Sequence, residues 1–213
     1  VHGKNAAPTW SGNEVEGSST YGDNSISRNL LGGAHDVNAS DRLRVGNAQF
    51  SEGGRSIDDA STVGLSIDDN GVLSFDGSHG EFESLAEGES RTFTVGYDVQ
   101  DGHGGSHHQT ATLTVHGKNA APTWSGNEVE GSSTYGDNSI SRNLLGGARD
   151  VNASDQLRVA NARFSEGDRE IGNASDVGLS LDNNGVLSFD GSHGSFESLA
   201  EGESRTFTVG YDV

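Results

Sequence analysis

The chain contains no cysteine and no methionine, so disulfide frames, thiolate metal centres and cysteine nucleophiles are all excluded. Proline occurs twice in 213 residues, and basic side chains number 13 against 32 acidic ones. The resulting net charge of −19 is spread over both parts, with 17 acidic and 6 basic residues in 1–114 and 15 and 7 in 115–213. Such a surface repels nucleic acid and anionic membranes and gains nothing from counterion release, whereas cations are its natural partners. No run approaches the roughly 20 apolar residues of a membrane-spanning helix, which argues against membrane insertion. No G-x-S-x-G elbow, H-E-x-x-H helix or phosphate loop is present, and the chain reads as a non-enzyme. It also opens without a signal peptide, in the middle of a repeat, as an excerpt of a longer array would.

What is present is a repeat. Residues 1–99 return as 115–213 with 12 differences, including His35 to Arg149, Arg42 to Gln156, Gly54 to Asp168 and Glu81 to Ser195. A period of 114 residues exceeds the roughly 20–50 of solenoid units and matches one independent domain. The reading places the tail of a preceding repeat and its linker at 1–8, a complete repeat at 9–118, a linker at 119–123 and a second repeat at 124–213 that lacks its last strand.

Within one repeat the apolar residues alternate. Phe93, Val95, Tyr97 and Val99 recur at every second position, as do Ala111, Leu113 and Val115. The turn Asp101-Gly102-His103-Gly104-Gly105 between them predicts a hairpin. A second hairpin is predicted where Asp68-Asp69-Asn70-Gly71 separates Leu65 and Ile67 from Val72 to Phe75. Further strands are expected over 25–31 and 43–50, with a short entry strand over 10–16. About seven strands per repeat and no helical periodicity predict an all-β fold of tandem antiparallel Greek-key sandwiches. Trp10, Phe50, Phe75, Phe93 and Tyr97 are read as core.

Asp36, Asn38 and Asp41 offer three oxygen ligands in six residues beside Gly32 and Gly33, and Asp150, Asn152 and Asp155 repeat them. Calcium takes six to eight oxygens from such loops, although the same residues also fill ordinary turns. His103, His107 and His108 read as solvated turn residues, and Asn38-Ala39-Ser40 is a formal glycosylation sequon.

Three ordered segments carry a family resemblance. They are Asn29-Leu30-Leu31 through Asp41-Arg42-Leu43, Gly88-Glu89-Ser90 through Asp101-Gly102-His103-Gly104-Gly105, and Val115 through Asn119-Ala120-Ala121-Pro122-Thr123. The chain resembles the cadherin-like VCBS-type repeats and extender domains of repeats-in-toxin (RTX) adhesins from Gram-negative bacteria. That resemblance implies a cadherin- or immunoglobulin-like sandwich, Ca2+ at domain junctions, type I secretion to the extracellular cell surface, and a stalk role in cell adhesion or biofilm formation. It implies end-to-end repeats partnered through calcium-bridged junctions. One such site would draw Glu16, Glu89 and Asp101 from the first copy, Asn119 from the linker, and Asp150, Asn152 and Asp155 from the second; Glu130 and Glu203 are the second-copy equivalents of Glu16 and Glu89. The chain departs from the pattern at Ala6 and Ala120, where the family's linker has Asp, and at Gly33 and Ala34.

Two other functions compete. A carbohydrate-binding module would take a polysaccharide on an exposed aromatic platform, for which Trp10, Tyr21, Trp124 and Tyr135 are the candidates. Homophilic adhesion between chains is the third reading. Finally, the second copy stops at the equivalent of Val99, so it is expected to borrow a closing strand or to be the less stable copy, and the natural protein to continue with a segment like 100–115.

Overall fold

The structure, a computed structural model, describes residues 2–213 apart from Asn24 and Asn138. It forms two compact units. One runs to Ala120 and takes in Asn152–Ser154; the other comprises Ala121–Val151 and Asp155–Val213.

Among the described residues the first unit contains ten strands: β1 (Thr9–Trp10), β2 (Val15–Thr20), β3 (Ile26–Asn29), β4 (Ala34–His35), β5 (Arg44–Glu52), β6 (Arg55–Ile57), β7 (Leu65–Ile67), β8 (Val72–Phe75), β9 (Ser90–Gln100) and β10 (Ser106–His116). Five of them make one sheet in the order β2-β10-β9-β5-β6, three make a second in the order β3-β8-β7, and β1 pairs with β4. The inward residues of the two larger sheets meet in one core. Phe93, Val95 and Tyr97 of β9 and Ala111, Leu113 and Val115 of β10 face Leu65, Leu73 and Phe75, with Leu30 and Phe82 closing the layer. The Tyr97 hydroxyl donates to the Leu30 carbonyl at 3.0 Å, satisfying a polar atom deep in that core. Burial pushes its phenol up to about 12.

Both predicted hairpins form. β9 and β10 pair without interruption from Gln100 opposite Ser106 to Ser90 opposite His116, and β7 and β8 pair around the Asn70-Gly71 turn, where Gly71 has φ +73°. Three features differ from the expectation. The entry strand is split: β1 pairs with β4, and after a short connection β2 joins the larger sheet. The sandwich is not wholly antiparallel, because β2 runs parallel to β10, with Val15 opposite Ala111. The strand β6 was not foreseen, although Gly53 and Gly54, at φ +55° and +81°, supply the reversal between β5 and β6.

The second unit repeats much of this with eight strands among the described residues: β11 (Thr123–Trp124), β12 (Ile140–Asn143), β13 (Ala148–Arg149), β14 (Ala160–Glu166), β15 (Arg169–Ile171), β16 (Leu179–Leu181), β17 (Val186–Phe189) and β18 (Phe207–Asp212). Its sheets are β15-β14-β18, β12-β17-β16 and β11-β13, so β18 is an edge strand. Its buried core cluster is Val177, Leu179 and Phe196, with Phe164, Phe189 and Phe207 packed partly buried against them, and Leu144 is buried as well. Both units are β-sandwiches, all-β apart from short 3-10 turns such as Ala60–Val63. Among the described residues no helix is long and apolar enough to cross a membrane.

Candidate metal centre

The site lies at one end of the first unit, where the turn after β9 meets the loop between β4 and β5. The hydrogen bonds of that loop fold it tightly. The Asp36 carboxylate accepts the Asn38 amide at 2.7 Å, and the Asn38 carbonyl accepts the Asp41 amide at 2.9 Å. The first is the self-cap that a short Asp side chain makes in a turn, and the second is a backbone turn. The Asn38 side-chain oxygen accepts the Ala6 amide at 2.9 Å, which ties the segment entering the unit to the same loop.

Asp101 arrives from the β9–β10 turn. Its Oδ1 accepts the amides of His103 at 2.7 Å and Gly105 at 2.9 Å, and its Oδ2 accepts Asn5 Nδ2 at 2.8 Å. These bonds, the one from Asn5 foremost, hold its carboxyl below the ordinary range. Gly105 is required here by close approach, since a Cβ would meet the Asp101 carboxylate and Ala7.

One carboxylate oxygen from each of Asp36, Asp41 and Asp101 lies within 4.8 Å of the others. Asp101 is only 1% exposed, and the Asp41 side chain 4%. His103 Nδ1 stands 3.2 Å from Asp41 Oδ1 at the solvent side. Among the described residues, two buried side-chain polar atoms lack any hydrogen-bond partner, and they are Asp36 Oδ2 and Asp41 Oδ2. Burying like charges together without partners is unfavourable, and a cation offsets both the repulsion and the lost hydration. An all-oxygen donor set of three carboxylates is the chemistry of a hard divalent ion rather than of zinc or copper. The residues fit calcium, which Asp36, Asp41 and Asp101 would hold.

The structure groups the residues expected from sequence differently. Asp101 joins Asp36 and Asp41 of its own copy. Glu89 lies at the other end of β9, about 35 Å away at roughly 3.4 Å per residue, so the two cannot share one ion. There the Glu89 carboxylate accepts the Ala86 amide at 2.9 Å, and that bond, followed by one to Ser154, keeps its pKa low. Glu203 caps Ala200 in the same way at 2.9 Å. Glu16 sits on the edge strand β2 opposite Thr112, with its backbone carbonyl accepting Arg28 Nε at 2.7 Å; the Glu130 carbonyl accepts Arg142 Nε at 2.8 Å. Neither glutamate belongs to the cluster.

Asn38 and Asn152 act as backbone clasps. Asn152, 1% exposed and part of the first unit, accepts the Ala120 amide at 2.7 Å and donates to the Leu85 and Lys118 carbonyls at 3.0 and 3.3 Å. Asn119 is exposed, Asp150 half-buried and Asp155 exposed. The residue that sequence reasoning missed is Asn5. The repeat could have supplied it, since it is the first-copy equivalent of Asn119.

The aromatic candidates for a sugar platform divide between the copies. Trp10 and Tyr21 pack against the first core, whereas Trp124 and Tyr135 are 42% and 47% exposed.

No family model matches the chain, and no curated protein matches it. Solved structures of tandem sandwiches do align with it. Mouse cadherin-23 EC22-24 aligns at 14% identity and a TM-score of 0.42, covering 86% of this chain and 54% of that one. Drosophila N-cadherin EC1-4 aligns at 16% and 0.44, covering 97% and 48%. Sidekick-1 immunoglobulin domains 1-4 align at 11% and 0.31, covering 95% and 49%. The chain thus spans about half the length of each. The assignment to a β-sandwich rests on the strand pairing itself.

Proposed function

We propose that the chain is a pair of calcium-stabilised extender domains, serving as spacer in the stalk of a bacterial surface adhesin of the repeats-in-toxin kind. The observation that supports calcium is the pair of buried, unpartnered oxygens on Asp36 and Asp41 beside Asp101. The spacer role is supported by near-identity of the copies: 87 of 99 aligned residues agree. Copies that differ mainly at exposed-type positions supply length or avidity rather than division of labour. The position of Trp10 and Tyr21 against the core weighs against a carbohydrate platform that both copies share.

Thermal melting in chelator and in millimolar calcium tests the metal reading. A ligand bound by the native state alone adds about 2.7 kcal/mol at a hundredfold excess over Kd. The transition of the first unit is expected to rise in calcium and hardly at all in magnesium, which resists dehydration and irregular sites. Asp41→Asn is expected to abolish the rise. A melting curve that does not move with calcium overturns the reading. For the spacer role, an isolated complete repeat is expected to bind nothing on a glycan array, and reproducible sugar binding would favour the carbohydrate module instead.

A further inference from the structure

One of the differences between the copies creates a chemical pair. Asp190-Gly191-Ser192-His193-Gly194-Ser195 repeats Asp76-Gly77-Ser78-His79-Gly80-Glu81 with serine in place of the final glutamate. The geometry points to Ser195 as a nucleophilic serine, with His193 as its general base, that takes up an acyl group from an activated ester.

His193 stands just before the short 3-10 turn Gly194–Phe196. Its Nδ1 accepts the Ser195 amide at 3.3 Å and lies 2.9 Å from Ser195 Oγ. A backbone amide can only donate, so Nδ1 carries a lone pair and the ring proton sits on Nε2. The hydroxyl is therefore the donor to Nδ1, which is the arrangement of an oxygen nucleophile and its base. Packing holds the ring there. Its edge meets Phe196, with centroids 6.1 Å apart and planes at 63°, and a Cβ added to Gly178 would lie 2.9 Å from His193 Cβ. Arg205 donates to the Ser195 carbonyl at 3.3 Å, which steadies the backbone that carries the hydroxyl. Both residues of the pair are half-buried and keep contact with solvent.

Neighbouring serines show what is special about this one. Ser192 donates to Asp190 and Ser78 to Asp76, each at 2.7 Å. Those carboxyls are held below the ordinary range, first by the same hydroxyls, which makes them poor proton acceptors. Imidazole is the base matched to neutral pH. The charge of His193 also contributes to the lowering of Asp190, and by the same attraction Asp190 favours the imidazolium. In the first copy His79 Nδ1 accepts the Glu81 amide at 3.4 Å, but Glu81 brings no hydroxyl. With an aryl ester, Ser195 Oγ bonds to the acyl carbon while its proton passes to His193 Nδ1. The bond from acyl carbon to aryl oxygen then breaks, and the phenol leaves with that proton.

The test is to treat the 213-residue chain with p-nitrophenyl acetate at neutral pH and to map acetylated peptides by mass spectrometry. Ser195 is expected to be acetylated about tenfold or more faster than Ser78 and Ser192, a modest effect for a positioned base. His193→Asn keeps a side-chain oxygen for the turn's amide but removes the base, and is expected to bring Ser195 down to the rate of Ser192. Glu81→Ser rebuilds the pair beside His79 and is expected to add a second fast site at position 81. Equal rates at Ser195, Ser78 and Ser192 overturn the proposal. So does undiminished acetylation of Ser195 in His193→Asn, or a Glu81→Ser chain with no fast site at position 81.

Discussion

Residues 15–20 and 129–134 are the same six letters, Val-Glu-Gly-Ser-Ser-Thr, yet the first stretch is strand β2 and the second is not a strand at all. The same holds for Ser-Arg-Thr, which opens β9 at residues 90–92 and lies outside β18 at 204–206. Local propensity cannot distinguish identical sequences. The difference lies in pairing: both stretches of the first copy hydrogen-bond to β10, while residues 93–100 are additionally held by β5. Where the β5 equivalent remains, as β14 against β18, the strand survives. Strand formation here is a tertiary event, as the context dependence of β propensity implies.

The comparison is sharpened most by core truncation. Phe93 is fully buried among Phe75 and Phe82, with ring centroids 5.9 Å from each. Phe93→Ala is expected to cost about 3–5 kcal/mol, the range for large aromatic deletions in cores. Phe207→Ala is expected to cost clearly less, because Phe207 already retains contact with solvent and loses less on truncation. Denaturant melts of the two variants, read as separate transitions for the two units, measure the difference. Equal costs would show that the second core closes in solution as tightly as the first.

A smaller expected effect concerns acid and alkali. Asp101 has a depressed folded pKa, so its contribution is present above the unfolded carboxylate value of about 3.9 and is lost as pH falls through the lower folded value. The contribution of Tyr97 runs the other way. Its phenol is raised from about 10 to about 12, so the stability it lends is complete below pH 10 and is lost as pH climbs towards 12. Tyr211 is raised by the same cause from a less buried position. Absorbance titration of Tyr97→Phe and Tyr211→Phe variants is expected to show Tyr97 ionising later. Tyr97 ionising with the exposed tyrosines would mean that its bond to Leu30 is not kept in solution.

Much of this was legible in the sequence. Period-two alternation in 93–99 and 111–115, with Asp-Gly and Asn-Gly turns, disclosed the hairpins because both the pleat and the turn leave local marks. The Asp36–Asp41 loop was legible for the same reason: its oxygen donors lie within six residues of the chain. What was not legible is which distant carboxylate completes it. Asp101 and Glu89 lie 12 residues apart in sequence, and both looked like ends of one domain. Only the 11-residue strand Ser90–Gln100 between them puts them at opposite ends of the sheet. The parallel pairing of β2 with β10 left no local mark either, since parallel partners are joined through long connections. Likewise Asn5 was hidden by its distance of 96 residues from Asp101.

The smallest difference is expected where the two copies agree in geometry. Arg91 makes a two-pronged contact with Glu52, both bonds at 2.7 Å, and its guanidinium lies 5.4 Å from the ring centroids of Phe82 and Phe93. Arg205 does the same with Glu166 at 2.7 and 2.8 Å, over Phe196 and Phe207 at 5.5 and 5.2 Å, although residues 204–206 form no strand. This clasp joins β9 to β5 in the first copy, and the stretch before β18 to β14 in the second, without using β10. A double-mutant cycle with Arg→Ala and Glu→Ala is therefore expected to give a small favourable coupling of similar size in each copy, as for a well-aligned, partly exposed pair. Agreement within about 0.5 kcal/mol would show that side-chain geometry set by β5 and β14 outlasts the loss of strand structure around it. A coupling present for Arg91 and absent for Arg205 would show the opposite: the closing strand fixes not only the backbone of β9 but also the ion pair beside it.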